Sequence, residues 1–169
     1  MRLASQDKVG IYLVSANRLL REALARVLST ETGFNIVGTC APGADAEYEV
    51  VAARADVVLL DDFGAARSDL KLLSRLMIAA PSLRVILVGV PEIERAFLDS
   101  VRAGAVGYVP RDASAEVLIS SVRAVLNGEA ACPAHMLVSL FKYDPGGGIA
   151  HPNFMREAKR REFENKSIA

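Results

Sequence analysis

Asp61 closes a continuously apolar run, Asp56-Val57-Val58-Leu59-Leu60-Asp61-Asp62, and leaves a carboxylate at the end of what reads as a buried strand. In open α/β sheets, ligands and chemistry gather at the carboxyl ends of the strands, so Asp61 points to where a site would be. The neighbouring runs end in Ser15-Ala16 on one side and Gly89 on the other. Ser15 could serve as a nucleophile only beside a base, and no motif places a histidine near it. His135 and His151 have no ligand-spaced partners and read as surface residues, while Cys40 and Cys132 match no metal spacing and read as reduced, buried small hydrophobes. The Gly146-Gly147-Gly148 triplet follows no strand and opens no Lys-Ser or Lys-Thr helix, which argues against a phosphate loop. Taken alone, Asp61 has a second reading, a carboxylate that merely caps a loop or helix.

Five strand-like runs alternating with helix-like runs must position this carboxylate. Lys8 to Val14 reads as the first strand, with a helix from Asn17 to Ser29 whose stripe is Leu20, Ala23, Leu24, Val27 and Leu28. Phe34 to Thr39 is a short strand, and Pro42-Gly43 precede a helix carrying Ala44, Tyr48, Val51 and Ala55. Asp56 to Asp61 is the third strand. A loop with Gly64 leads to a helix from Ser68 to Ala80, with Leu73, Leu76 and Met77 inward. Leu83 to Val88 is the fourth strand. Pro91 opens a helix burying Ile93, Ala96, Phe97 and Val101, and Gly104 ends it at C′. Val106 to Val109 is the fifth strand, and Ser114 caps a helix whose stripe is Leu118, Val122, Val125 and Leu126, up to Gly128.

Strands alternating with helices of this length mean parallel βαβ units with right-handed crossovers. The fold class expected is therefore α/β, a doubly wound five-stranded parallel sheet with a C-terminal helix and linker. Pro133 suits the start of that last helix, and Met136, Leu137, Leu140 and Phe141 suit packing back onto the domain. Residues 1–131 form the main unit, 132–143 a linker helix and 144–169 a polar tail, in which Arg156, Lys159, Arg160 and Arg161 alternate with Glu157, Glu162 and Glu164 as a solvated face does.

Bulk composition narrows the function classes. Lysine plus arginine and aspartate plus glutamate balance at 20 each, so no global field draws the chain to nucleic acid or an anionic membrane. Aromatics make up only 6% of a chain that is 51% hydrophobic, a palette that suits a layered α/β core. No apolar segment approaches the ~20 residues of a membrane span, and the N-terminus lacks a signal-peptide h-region, so a soluble cytoplasmic location is expected.

From about Lys8 to Phe141 the chain resembles a response-regulator receiver domain of the NarL/FixJ type, a flavodoxin-like fold. The words that carry the resemblance are Leu19-Leu20-Arg21-Glu22-Ala23-Leu24, the Asp56–Asp61 run, Ala103-Gly104-Ala105-Val106-Gly107-Tyr108 and Arg111-Asp112-Ala113-Ser114, followed by Gly128-Glu129-Ala130. The resemblance implies that Asp61 stands at the phosphoacceptor position and Tyr108 at the aromatic switch position. It also locates departures. Ser15 and Ala16 stand where the family carries two acids, Gly89 where it carries Thr or Ser, and Arg111 where it carries Lys.

Those departures imply an atypical receiver, not an enzyme, with Mg²⁺ binding weak or absent, since Mg²⁺ is held by carboxylates, waters and phosphate oxygens. Asp62 is a doubtful replacement ligand because successive strand side chains point to opposite faces. Either an Asp61–Arg111 pair holds one state, or the domain is switched by something other than Mg²⁺-dependent phosphorylation. The resemblance further implies a sensor kinase or other signalling protein as partner, a homodimer as an option, and output through the fourth helix, fifth strand and fifth helix. DNA would be reached only through a downstream domain, because too few residues follow the glycine triplet to form a helix-turn-helix; the competing expectation is a stand-alone receiver acting through protein contacts. The alternative is a small anion- or nucleotide-sensing module that uses the pocket vacated at Ser15, Asp61, Gly89 and Arg111.

Overall fold

Five parallel strands in the order β2-β1-β3-β4-β5 form the centre of the molecule, and β3, the strand ending in Asp61, lies in the middle. The computed structural model describes residues 8–61 and 68–143. The strands are β1 (Val9–Val14), β2 (Phe34–Cys40), β3 (Val57–Asp61), β4 (Arg84–Val90) and β5 (Gly107–Pro110). The helices are α1 (Arg18–Ser29), α2 (Ala46–Ala52), α3 (Ser68–Ala79), α4 (Glu94–Ala103), α5 (Ala115–Leu126) and α6 (Ala134–Tyr143). Asp62, Gly64 and the 144–169 tail with His151 and its charged cluster lie outside the described residues.

Because the strands are apolar on both sides, each face needs its own helical cover. Tyr12, Val58, Leu60, Leu87 and Tyr108 meet α2, α3, α4 and α6 on one face. Ile11, Leu13, Leu59, Val88 and Val109 meet α1 and α5 on the other. The edge strand β5 is continued by a parallel bridge from Gly107 to Ala131, after which α6 buries Met136, Leu137 and Leu140.

Several expected stripes are displaced. Ala23 is exposed and α1 fully buries only Leu28, with Leu20, Leu24 and Val27 half-covered. In α2 the sheet is met by Ala46 and Val50, four residues apart, whereas Tyr48 is 77% exposed, because the helix starts after Asp45 and so turns a different face inward. Ile93 is exposed in the extended residue before α4, and Leu98 and Ser100 are buried beside Phe97 and Val101. Gly104 does end α4 with φ +108, and the Ser114 hydroxyl accepts from the Val117 amide at 3.3 Å as the cap of α5. Cys40 and Cys132 are half-buried rather than buried.

Candidate functional site

The carboxyl edge of the sheet is assembled by register. Val14 lies opposite Leu60 and Asp61 opposite Val88, so Ser15, which follows β1, Asp61 at the end of β3 and Gly89 within β4 come to one rim. Ser15 follows β1 and is buried. Its hydroxyl donates to Asp61 Oδ2 at 2.5 Å and accepts from the Asn17 amide at 3.0 Å. Asn17 in turn caps α1, its side-chain oxygen accepting from the Leu20 amide at 3.2 Å. A guanidinium nitrogen of Arg21 donates to the Ser15 carbonyl. Asp61 is thereby tied through one serine to the start of α1.

Gly89 interrupts the register of β4 with β5 and adopts φ +74, which L side chains rarely adopt. A Cβ there would stand 2.8 Å from Asp61 Oδ1, so the carboxylate occupies the space a larger residue would need. The expected Asp61–Arg111 ion pair is not formed. Arg111 is exposed after β5 and its Nε donates to the Gly89 carbonyl at 3.3 Å, while Asp61 takes the nearer Ser15 hydroxyl. Ala16 is exposed beside the rim.

Asp61, Gly89 and Arg111 border a cavity of about 400 Å³ that runs down between α1 and α5. Its wall is largely aliphatic, with Leu20, Leu24, Val27, Val88, Val109 and Leu118. Among the described residues Asp61 is the one acidic residue on that lining. Tyr108 is not part of it. The ring faces the opposite layer, where it meets Phe97 edge-to-face at 5.2 Å and its hydroxyl donates to the Pro91 carbonyl at 2.7 Å. Burial, with a smaller contribution from Glu92, pushes its pKa up to about 12.

Two features escaped the reading of the sequence. Arg21 sits within a word quoted for the resemblance, yet only the fold shows it bonded to the rim at Ser15. The apolar cleft is lined by Leu20, Leu24 and Val27 of α1, which are only half-covered, and a stripe of aliphatic residues does not reveal that.

A doubly wound sheet with its carboxylate at the central carboxyl edge defines a receiver-type α/β domain. The signal receiver domain of the putative response regulator NarL from Mycobacterium tuberculosis has this fold, with a TM-score of 0.66 at 24% identity over 73% of this chain and 99% of that one. No family model matches the chain. Among curated proteins it is 30% identical over 149 residues to the DNA-binding transcriptional activator DevR/DosR of Mycobacterium tuberculosis, covering 83% of this chain and 69% of that protein. It is 29% identical to the uncharacterized transcriptional regulatory protein YxjL of Bacillus subtilis, over 75% of this chain and 58% of that protein. The chain belongs to the NarL/LuxR family of response regulators. It spans roughly six-tenths of the length of the curated relatives it matches.

Receivers of this family imply a magnesium ion at the carboxylate. Among the described residues no three His, Cys, Asp or Glu side chains converge as a metal site. Asp61, with one oxygen engaged by Ser15, is a weak seat for an ion that prefers several oxygens in octahedral array. The described residues fit the ion poorly. No helix among them is long and apolar enough to cross a membrane.

Proposed function

We propose that this chain is an atypical receiver, a signalling rather than catalytic module, in which Mg²⁺-dependent phosphorylation of Asp61 is impaired. The observation that carries the reading is the Ser15 hydroxyl 2.5 Å from Asp61 Oδ2, where the family has an acid. Phosphoryl transfer to a carboxylate depends on positioning and on neutralising charge with a metal. Here a neutral hydroxyl holds the acceptor, Gly89 offers no side-chain hydroxyl, and Arg111 bonds a backbone carbonyl instead of the carboxylate. The chain then acts as residues 1–131 of receiver, 132–143 of linker helix and 144–169 of tail, belonging to a longer transcription regulator whose remaining part contacts DNA. The curated relatives, named as transcriptional regulators and longer than this chain, support that placement. Its partner is a sensor kinase or other signalling protein, met at α4, β5 and α5, near where α6 packs on α4, with a second copy as an option.

Incubation with acetyl phosphate and Mg²⁺, followed by intact mass, tests this. The mass is expected to stay unmodified, and stoichiometric acyl phosphate at Asp61 overturns the proposal. The second reading, small-ligand sensing, is favoured by the cavity bordered by Asp61 and Arg111.

A further inference from the structure

From the cavity between α1 and α5 we infer a binding site for a small zwitterionic amphipath, an α-amino acid with an aliphatic side chain. At about 400 Å³ the cavity falls in the range of small-molecule sites and is lined as they are, mostly apolar with a few polar groups at one end. The walls from Leu20, Leu24, Val27 and Leu118 offer a hydrocarbon chain several partly covered aliphatic neighbours. Among the described residues none on the lining is aromatic, so they offer no platform for stacking a nucleobase.

The mouth sets the head group. Among the described residues Asp61 and Arg111 are its charged residues, one of each sign, and both flank Gly89. Asp61 Oδ2 already accepts the Ser15 hydroxyl, while Oδ1 faces the open side of Gly89, where no Cβ intrudes. Arg111 uses Nε on the Gly89 carbonyl, and among the described residues its terminal nitrogens take no partner. An anion alone would meet Arg111 but be repelled by Asp61, and a cation alone would meet the reverse. A ligand with ammonium and carboxylate on one carbon satisfies both, and two charge-assisted hydrogen bonds at a half-dry mouth are the strong kind. The inference goes beyond the proposed function: binding is independent of whether Asp61 takes a phosphoryl group, so the two can fail separately.

Titration calorimetry of the full 169-residue chain with L-norleucine, hexanoate, n-hexylamine and inorganic phosphate tests it. Norleucine is expected to give saturable heat, and hexanoate, hexylamine and phosphate to bind roughly tenfold more weakly or not at all, since each leaves one charge unmatched. Asp61→Asn and Arg111→Gln should each weaken norleucine by roughly tenfold, with folding checked by circular dichroism. Methyl shifts of Leu20, Leu24, Val27 and Leu118 on titration should place the side chain. No norleucine heat at millimolar concentration overturns the inference, as does hexanoate binding equally well, or affinity unmoved in both variants. The intact-mass experiment with acetyl phosphate reads the other proposal and is unaffected by any of these results.

Discussion

The two faces of the sheet draw on the same aliphatic residues but are covered to different depths. Under α3, α4 and α6, the side chains of Leu73, Leu76 and Phe97 lose all contact with solvent, and Leu140 nearly all. Under α1 and α5 the cover is uneven. α5 seals Val122 and Val125, but α1 buries only Leu28 and leaves a cavity below Asp61. The first face holds its aromatic pair in one arrangement, with Tyr108 against Phe97 and bonded to the Pro91 carbonyl. The second keeps room beside Asp61. Rigidity and vacancy thus lie on opposite sides of the same strands, and changes that fill or empty the vacancy should cost less than changes to the sealed face.

Equal truncations on the two faces give the largest contrast. Leu76→Ala removes a fully buried side chain and should cost about 2–5 kcal/mol, because a cavity in a packed core collapses only partly. Leu24→Ala removes a half-covered one that already borders open space, and should cost about 1 kcal/mol or less. Urea denaturation of both variants compares them directly. Equal losses would mean that α1 packs as tightly as α3, and the distinction between the faces would fall.

The rim gives the next largest effect. Gly89→Thr nominally restores a hydroxyl that the family carries, but the backbone at φ +74 and the 2.8 Å approach of its Cβ to Asp61 Oδ1 oppose it. Such strain is worth about 1–3 kcal/mol. The variant is expected to lose stability by that amount and to gain no acyl phosphate on treatment with acetyl phosphate and Mg²⁺. Unchanged stability would show that the β4 bulge relaxes at little cost.

The fold was largely legible because its signal is periodicity. The apolar runs and punctuating Gly, Pro and Ser placed each strand to within about two residues, since buried parallel strands cannot be interrupted by polar groups without loss. Stripes on short helices were less legible. Tyr48 and Ile93 read as inward-facing because they are apolar, and both are exposed, since a shift of one residue at a helix start rotates its face by about 100°. At the rim, the residue identities were visible but their partners were not. Arg111 could reach either Asp61 or the Gly89 carbonyl from the same position, and the choice depends on a backbone dihedral at Gly89 that the residue type permits without requiring. The Ser15–Asp61 bond bridges two strands adjacent in the sheet but far apart in the chain, a pairing that local spacing does not encode.

The smallest effect tests whether the sealed face is held by its polar contact as well as by packing. Tyr108→Phe keeps the edge-to-face stack on Phe97 but removes the donor to the Pro91 carbonyl, and should cost about 1 kcal/mol. A pH signature accompanies it. The folded state holds the Tyr108 proton up to about 12 because burial, then the Glu92 charge, disfavours the phenolate, whereas the unfolded chain releases it near the ordinary tyrosine value of 10.0. Between those values the unfolded state binds fewer protons, so stability falls as pH rises through that window, and the contribution is intact below it. Tyr12, raised by burial and by Cys40 and Glu49, adds a slope of the same sign that continues to higher pH. Urea titrations at pH 9 to 12 should therefore show a shallower decline in Tyr108→Phe than in the parent chain. If the two curves run parallel, the Tyr108 hydroxyl is not buried in solution, and the sealed face is less closed at its aromatic pair than the comparison with the open face requires.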